Sequence, residues 1–273
     1  MKKTILAVLL AAAAAGCGAQ KLTESQEYYV GRGVAANAIA DSALHSDMAL
    51  EKYVAAVGCT IAYESDRPET FKGYHFGVLQ SDSINAFAAP SGFVFVTTGA
   101  IRHMQSEDEL AGVLAHEIAH VNLRHPEESA NRASAKAGAL DLLAGAARLA
   151  VMIGFRDDPN KQETLLKLVD AFGKVLDDLA QEIVNGYSRE DELKADTMAV
   201  DLLTRAGVGY DPNALKAFVG RLPQKDRGAW STHPELEGRI QSIEQEIQKR
   251  KVHTVTDPAR TKRFLEATSA LRR

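Results

Sequence analysis

The pentapeptide His116-Glu117-Ile118-Ala119-His120 constrains this chain more than any other feature of its sequence. On an α-helix, residues four apart lie on one face about one turn from each other, so both imidazoles can reach a single metal ion. Glu117 is rotated away from that pair and can reach a water molecule beside them instead. A catalytic zinc site of this kind still needs a third protein ligand and an open position for water.

Residues before and within the motif predict that it lies in the middle of a buried helix. Ser106 and Glu109 have the spacing of a capping box, which starts a helix just before the motif. An apolar stripe at helical spacing would bury this helix, and it comprises Leu110, Val113, Leu114, Ile118 and Val121. This context favours a metal site over two histidines on a helix surface.

Two residues are candidates for the third ligand, Glu192 and His125, and Glu192 is the better one. Glu192 lies four residues before Asp196. Ser188 can cap a helix that would carry both carboxylates on one face. Glu192 could bind the metal while Asp196 accepts the other ring N–H of a ligand histidine and so fixes its tautomer. A solvated acidic helix face is the alternative interpretation. His125 follows His120 by five residues, which turns it about 140° away from the ligand face of a helix.

The first residues have the layout of a secretory signal. Lys2 and Lys3 precede an apolar run at residues 4–15, which is too short for a good membrane span. Gly16-Cys17 closes this run and resembles a bacterial lipobox, although Ala14 stands where Leu is preferred. We therefore expect a signal peptide at residues 1–16 and Cys17 as the lipidated N-terminus of the mature chain. Ordinary signal cleavage without lipidation is the alternative.

Composition excludes several classes once the signal is removed. The mature chain has a net charge of −6, from 30 Lys and Arg against 36 Asp and Glu. A generic nucleic-acid-binding surface usually shows a basic excess, so we expect no nucleic-acid partner. If Cys17 carries lipid, Cys59 is the only thiol left. The apolar neighbours Val57 and Ile61 predict that this thiol is buried and inert.

The patterning along the chain predicts a single α+β domain dominated by helices, at residues 17–273. Aromatic and β-branched runs at residues 74–79 and 93–97 predict two strands of a small antiparallel sheet. Helical spacing predicts two helices within residues 23–65 and further helices after the strands. These lie at about residues 106–125, 127–153, 160–186, 188–206, 212–221, 235–250 and 258–271. The segment Gly31-x-Gly33-x-x-Ala36 matches a dinucleotide-binding fingerprint only superficially, because no strand precedes it.

Three motifs in a fixed order give the chain a resemblance to a known family. The H-E-x-x-H motif is followed by S-R-x-x-E-x-x-A-D at residues 188–196 and by the dipeptide His233-Pro234. Together they resemble the M48 zinc metalloproteases, which include the CAAX prenyl protease and HtpX-type enzymes. Residues 85–92, N-A-F-A-A-P-S-G, are similar to the family's N-A-F-A-x-P-x-G strand segment. The resemblance covers roughly residues 75–240.

The resemblance implies a mainly helical, zincin-like domain that binds one zinc ion. Its zinc ligands would be His116, His120 and Glu192, with Glu117 as the catalytic base. Asp196 would contact a ligand histidine without binding the metal itself. In this scheme Glu117 takes a proton from the attacking water and later passes a proton to the leaving amine.

Further roles follow from the same resemblance. His233 would act either as an oxyanion stabiliser or as a reversible fourth zinc ligand, with Arg189 as another helper of the oxyanion. Residues 92–97 would form an edge strand beside the site, and an edge strand offers unpaired backbone groups to an extended peptide. The expected substrate-binding residues are Asn85, Gly92, Phe93, Val94 and Phe95. Apart from the resemblance, Arg239 follows Pro234 by five residues and could brace the site through an acidic residue or could be a solvated helix arginine.

The function implied is that of a zinc-dependent endopeptidase of the bacterial cell envelope. It would hydrolyse misfolded or unassembled envelope proteins, bound in extended conformation, at the periplasmic face of the outer membrane. No hydrophobic span flanks the motif and no helical-repeat extension follows it, so substrate selection is expected from the groove or from a partner protein. The alternative is a latent or chaperone-like zinc-binding lipoprotein whose site is closed by His233. A structural lipoprotein without metal is a third alternative.

Overall fold

The structure of the chain is a computed structural model that describes residues 23–130, 186–205, 207–222, 233, 236–252 and 257–272. The expected signal at residues 1–16, Cys17, and most of the expected helices at 127–153 and 160–186 lie outside these residues. Within them the chain is mainly helical and contains one three-stranded sheet, which confirms the predicted α+β class.

Short polar side chains begin most of the helices. In chain order the described helices are α1 Glu24–Asp41, α2 Met48–Tyr63, α3 Thr98–His103, α4 Glu107–Asn122, α5 Arg189–Thr204, α6 Pro212–Gly220, α7 Leu236–Arg250 and α8 Pro258–Ala267. Backbone N–H groups of the first turns donate to the side chains of Ser106 at α4 and Ser188 at α5, as predicted. No helix that the structure describes is long and apolar enough to span a membrane.

The sheet contains β1 His75–Leu79, β2 Ala86–Ala89 and β3 Phe93–Thr97, in the spatial order β1-β3-β2. Strand β3 pairs in parallel with β1 and antiparallel with β2. The predicted antiparallel sheet is therefore wrong, because the sheet is mixed. The cause is strand β2, which lies between the two predicted strands in the chain. The chain reverses on entering β2 and reverses again at the turn before β3, where Ser91 and Gly92 have φ angles of 62° and 84°. Two reversals leave β3 running in the same direction as β1, so their pairing is parallel.

Because β3 is the central strand, the expected edge strand at residues 92–97 is also wrong. Both backbone edges of β3 are paired, and each of its residues is buried. Val94 packs into the main core, whereas Phe93 and Phe95 pack into a second apolar cluster with α1. Gly92 lies in the turn before the strand. These four predicted substrate-binding residues therefore offer no free strand edge to a peptide. Among the described strands, the free edge nearest the H-E-x-x-H helix belongs to β2.

Helix α4, which carries the H-E-x-x-H motif, is the centre of the core. It packs against α2, α5, α6 and strand β2, and each residue from Glu107 to Val121 is buried. This burial confirms the prediction of a mid-helix, interior motif. The rigid packing around α4 fixes the direction in which its histidines point.

Cys59 is exposed, so the prediction of a buried thiol is wrong. Helix α2 buries Val57, Gly58 and Ile61 on its core face. Cys59 lies two residues after Val57, and a step of two residues on a helix turns a side chain to the opposite face. The apolar neighbours marked the helix as amphipathic, but they did not share a face with Cys59.

Candidate active site

Helices α4 and α5 bring His116, His120 and Glu192 together. The two rings lie on one face of α4, fully buried, with their Nε2 atoms 3.0 Å apart. Helix α5 packs along α4 and points Glu192 at both rings. Glu192 Oε2 lies 3.4 Å from Nε2 of His116, and Oε1 lies 3.4 Å from Nε2 of His120. The structure thus brings together the three residues that the sequence proposed as metal ligands.

His233 completes a group of four. Its Nδ1 atom lies 2.8 Å from Glu192 Oε1 and 3.2 Å from His116 Nε2. Its Nε2 atom lies 3.1 Å from Glu117 Oε1 and 3.3 Å from the carbonyl oxygen of Ala86 in β2. The four residues His116, His120, Glu192 and His233 each offer a ligand atom, and these atoms all lie within 4.8 Å of one another.

The chemistry of this donor set fits a divalent metal. Three imidazole nitrogens and one carboxylate oxygen converge in a buried space, and such nitrogen and oxygen ligands suit zinc among other transition metals. Glu117 is fully buried beside them. Its Oε1 atom faces His233 Nε2 at 3.1 Å, whereas its Oε2 atom has no hydrogen-bond partner among the described residues. A buried carboxylate oxygen without a partner is costly unless it serves a bound group or a reaction.

The charges around the site keep its donors in the forms that metal binding and proton transfer need. Burial lowers the pKa of His120 to about 4, so its imidazole is neutral and can bind a metal. Burial raises the pKa of Glu117, but the neighbouring His233, His116 and His120 outweigh burial and leave that pKa below its ordinary value. Glu117 is therefore ionised and can accept a proton.

His233 has the opposite electrostatic character. Burial lowers the pKa of His233, but the carboxylates of Glu192 and Glu117 outweigh it and raise the pKa to about 9. With no metal bound, the ring is thus a cation held between two anions. Burial raises the pKa of Glu192 as well, yet His233 and Arg239 outweigh it and hold that pKa well below its ordinary range.

Asp196 lies where helical spacing from Glu192 predicts. Its Oδ1 atom is 3.0 Å from Nδ1 of His116, on the side of the ring that faces away from the four-residue group. A histidine that donates from Nδ1 leaves Nε2 with a lone pair for a metal. The carboxylate therefore favours the tautomer that a metal at Nε2 requires.

Arg239 is fully buried behind the site, which decides between the two interpretations of this residue. Its guanidinium donates to both oxygens of Asp196 and lies 3.2 Å from Glu192 Oε2. It thus pairs with the carboxylate that orients His116 and with a proposed ligand. The sequence left the bracing role and a solvated helix arginine equally open, because the helix pattern alone could not separate them.

Sequence reasoning missed two further residues that touch His120. Nδ1 of His125 lies 2.8 Å from Nδ1 of His120, although His125 was expected to point elsewhere. The ring of Tyr187 stacks on that of His120, with ring centroids 4.1 Å apart and planes at 22°. Tyr187 immediately precedes Ser188, the cap of α5. A large apolar ring just before a helix cap commonly packs against the protein interior, and this pattern is the sequence signal that could have identified Tyr187.

Two further predicted residues, Arg189 and Asn85, have described neighbours other than the four-residue group. Arg189 begins α5 on the surface, and its guanidinium lies beside Gly238 of α7. Asn85 precedes β2, and its carbonyl oxygen accepts from the backbone N–H of Thr97 in β3. Its proposed substrate contact, like the helper role of Arg189, stays a prediction.

Comparisons with known proteins agree with this geometry. The family model for peptidase family M48 matches residues 48–247. A putative beta-barrel assembly-enhancing protease of Vibrio cholerae is 33% identical over 205 residues, which cover 71% of this chain and 38% of the relative. The beta-barrel assembly-enhancing protease of Escherichia coli K12 is 26% identical over 259 residues, which cover 86% of this chain and 48% of that relative. The mitochondrial metalloendopeptidase OMA1 of Schizosaccharomyces pombe is 32% identical over 174 residues, which cover 62% of this chain and 45% of that relative.

A buried H-E-x-x-H helix packed against a helix that supplies a glutamate defines a metallopeptidase type of domain. The chain belongs to peptidase family M48, because the family model covers most of its length. The resemblance drawn from the three motifs is thereby confirmed. The chain spans less than half the length of the relatives described above.

Proposed function

We propose that this chain is a zinc-dependent endopeptidase. The observation that carries the proposal is the buried group of His116, His120, Glu192 and His233, with the ionised carboxylate of Glu117 beside it. A catalytic centre needs metal ligands and a base within reach of the same reacting atoms. Family membership supports the same activity.

The residues divide into those that hold the metal and those that move protons. His116, His120 and Glu192 would hold the zinc ion, which when bound acidifies water and polarises a carbonyl group. Glu117 takes the proton of the attacking water and passes it to the leaving amine. The N–H of His233, which faces Glu117, can donate to the oxyanion that develops on the scissile carbonyl.

The proposed substrates are misfolded or unassembled polypeptides of the cell envelope, bound in extended conformation. Relatives named as beta-barrel assembly-enhancing proteases support an envelope role, and the predicted signal at residues 1–16 supports export. We place the protein at the periplasmic face of the outer membrane, anchored through lipid on Cys17, with a partner protein supplying some substrates. Mass spectrometry of proteins accumulated by an inactive Glu117→Gln variant would identify the substrates.

Replacement of the base tests the catalytic assignment. Glu117→Gln should abolish cleavage of an unfolded reporter protein while keeping zinc content and the circular dichroism spectrum of the parent. Glu190→Gln, an exposed residue on α5, is the matched control and should cleave like the parent. Cleavage by Glu117→Gln at the parent rate would refute the role of Glu117.

Replacement of the third ligand tests the metal assignment separately. Glu192→Ala should lower zinc occupancy, measured by elemental analysis of dialysed protein. Full occupancy in this variant would remove Glu192 from the ligand set.

Membrane association tests the proposed location. The full chain should fractionate with membranes and take up labelled fatty acid, and Cys17→Ser should lose both properties. An unlabelled parent protein in the soluble fraction would favour ordinary signal cleavage.

A second candidate is a latent or chaperone-like protein, and one observation favours it. His233 offers a nitrogen to the same group as the three proposed ligands, so a fourth protein ligand would leave no position for water. In that case the purified protein would bind one zinc ion and cleave nothing, and His233→Ala would switch cleavage on. Cleavage by the parent protein that falls in His233→Ala would support the endopeptidase with His233 as a helper.

A further inference from the structure

The outer edge of strand β2 presents two backbone carbonyl groups towards the site. The pairing of Asn85 with Thr97 directs the Asn85 carbonyl towards β3. Since successive residues of a strand alternate in the direction of their hydrogen-bonding groups, Ala86 and Ala88 direct theirs away from β3. An extended peptide that adds to this edge would donate its N–H groups to these two carbonyl oxygens.

Side chains of the site already bond to both oxygens. His233 Nε2 lies 3.3 Å from the Ala86 oxygen, and the Tyr187 hydroxyl donates to the Ala88 oxygen at 3.3 Å. The Tyr187 ring meanwhile stacks on His120 and is only 5% exposed. One side chain therefore joins a proposed metal ligand to the backbone edge at which a peptide would bind.

We propose that the Tyr187 hydroxyl occupies the peptide-binding edge of β2 and that an extended substrate must displace it from Ala88. The proposal rests on the proposed endopeptidase function. Tyr187 is then a specificity-determining residue, because only a segment that offers several backbone N–H groups along β2 compensates for the lost hydroxyl bond. Folded proteins, which do not present extended segments, would be excluded.

The ring and the hydroxyl have separable roles. The ring packs on His120 and stabilises the orientation of its imidazole, whereas the hydroxyl supplies the hydrogen bond to Ala88. Tyr187→Phe removes this competing hydrogen bond and keeps the packing. Tyr187→Ala removes both and should lower zinc occupancy as well.

The binding test uses the Glu117→Gln background, in which a bound polypeptide is not cut. Tyr187→Phe in this background should bind an unfolded, fluorescently labelled reporter protein about 2- to 10-fold more tightly, as measured by anisotropy. Tyr63→Phe makes the same substitution at an exposed hydroxyl and should leave the affinity unchanged. Equal or weaker binding by Tyr187→Phe would overturn the proposal.

A kinetic test uses the zinc-loaded active protein. Tyr187→Phe should lower KM for the reporter by the same factor and leave kcat and zinc content unchanged, which a purely structural role would not do. If the parent cleaves through Glu117 but Tyr187→Phe has the parent KM, only the role of Tyr187 fails. If no variant binds or cleaves the reporter, both this inference and the proposed function are overturned.

Discussion

Arg239 holds Asp196 through two hydrogen bonds, from Nε to Oδ2 at 2.8 Å and from Nη2 to Oδ1 at 2.7 Å. Both side chains are fully buried. Burial alone would raise the pKa of Asp196, but Arg239 and His116 outweigh it and lower that pKa below its ordinary value. The aspartate is therefore an anion when it contacts His116, and its charge depends on the arginine behind it.

Removing the arginine should destabilise the protein and its metal site together. Arg239→Ala leaves Asp196 as an uncompensated buried charge, and breaking a buried pair in this way costs about 3–5 kcal/mol. Arg239→Lys should recover only part of this loss, because an ammonium group cannot form the two-pronged contact. Urea unfolding of the metal-free proteins measures the first effect, and chelator competition measures the loss of zinc affinity.

The exposed pair of Lys194 and Glu190 on α5 provides the control for this prediction. Lys194→Ala should unfold like the parent, because an exposed ion pair contributes little. An Arg239→Ala protein as stable as the parent would show that Asp196 is neutral or solvated in solution.

The contact between His125 and His120 gives a second prediction. His120 must donate from Nδ1 if its Nε2 atom is to bind a metal, so Nδ1 of His125 is the acceptor. His125→Ala removes that acceptor and should lower zinc affinity about 10- to 100-fold. His125→Gln, whose side chain can still accept, should recover part of the affinity.

The readout is zinc binding in competition with a chromophoric chelator. His45→Ala, before helix α2 and away from the site, should bind zinc like the parent. Parent-like affinity in His125→Ala would mean that water replaces the lost acceptor.

Local signals allowed the beginnings of the two site helices to be predicted. The caps at Ser106 and Ser188 depend on residues within one turn, so spacing in the sequence is sufficient. Strand β2 depends on its pairing with β3 and not on the preferences of its own residues, because Ala86–Ala89 has little intrinsic strand preference. Strand order was therefore the part of the fold that the sequence could not supply.

The same difference between local and long-range signals explains which site residues could be predicted from the sequence. His116, His120, Glu192 and Asp196 follow helical spacing and could all be predicted. His125 could not, because Arg124 has a φ of 62°, which ends helix α4 and redirects the chain, whereas the expected angle assumed a continuous helix. The burial of a charged side chain such as Arg239 depends on which helices pack together.

The first turn of α4 gives a prediction about pH. Glu107 accepts hydrogen bonds from Tyr53 of α2, Tyr210 before α6 and Arg263 of α8. Burial raises the pKa of Glu107, but Arg263 and the two tyrosines outweigh it and lower the pKa. A lowered pKa stabilises the fold above the unfolded-state value of about 4.3, and this stability is lost as the pH falls through the folded-state pKa.

Glu107→Gln should therefore lower the free energy of unfolding at pH 7 by about 1–3 kcal/mol, because hydrogen bonds to a charged group are lost. Between about pH 4.5 and 3 its stability should fall less than that of the parent. Glu266→Gln, an exposed residue on α8, should follow the pH profile of the parent. Urea titrations at several pH values separate these outcomes, and parallel profiles for parent and Glu107→Gln would contradict the assignment.

A last prediction concerns Gly31, which lies inside helix α1 and not in a nucleotide-binding turn. A Cβ atom there would lie 2.0 Å from the carbonyl oxygen of Pro90, in the turn that joins β2 to β3. Gly31→Ala should destabilise the fold by about 1–3 kcal/mol through overpacking, and it should also weaken reporter binding because the turn orients β2. Gly220→Ala, whose nearest contact is 3.9 Å away, should be neutral or stabilising. Urea unfolding compares the two, and equal stability of both variants would show that α1 does not press on this turn.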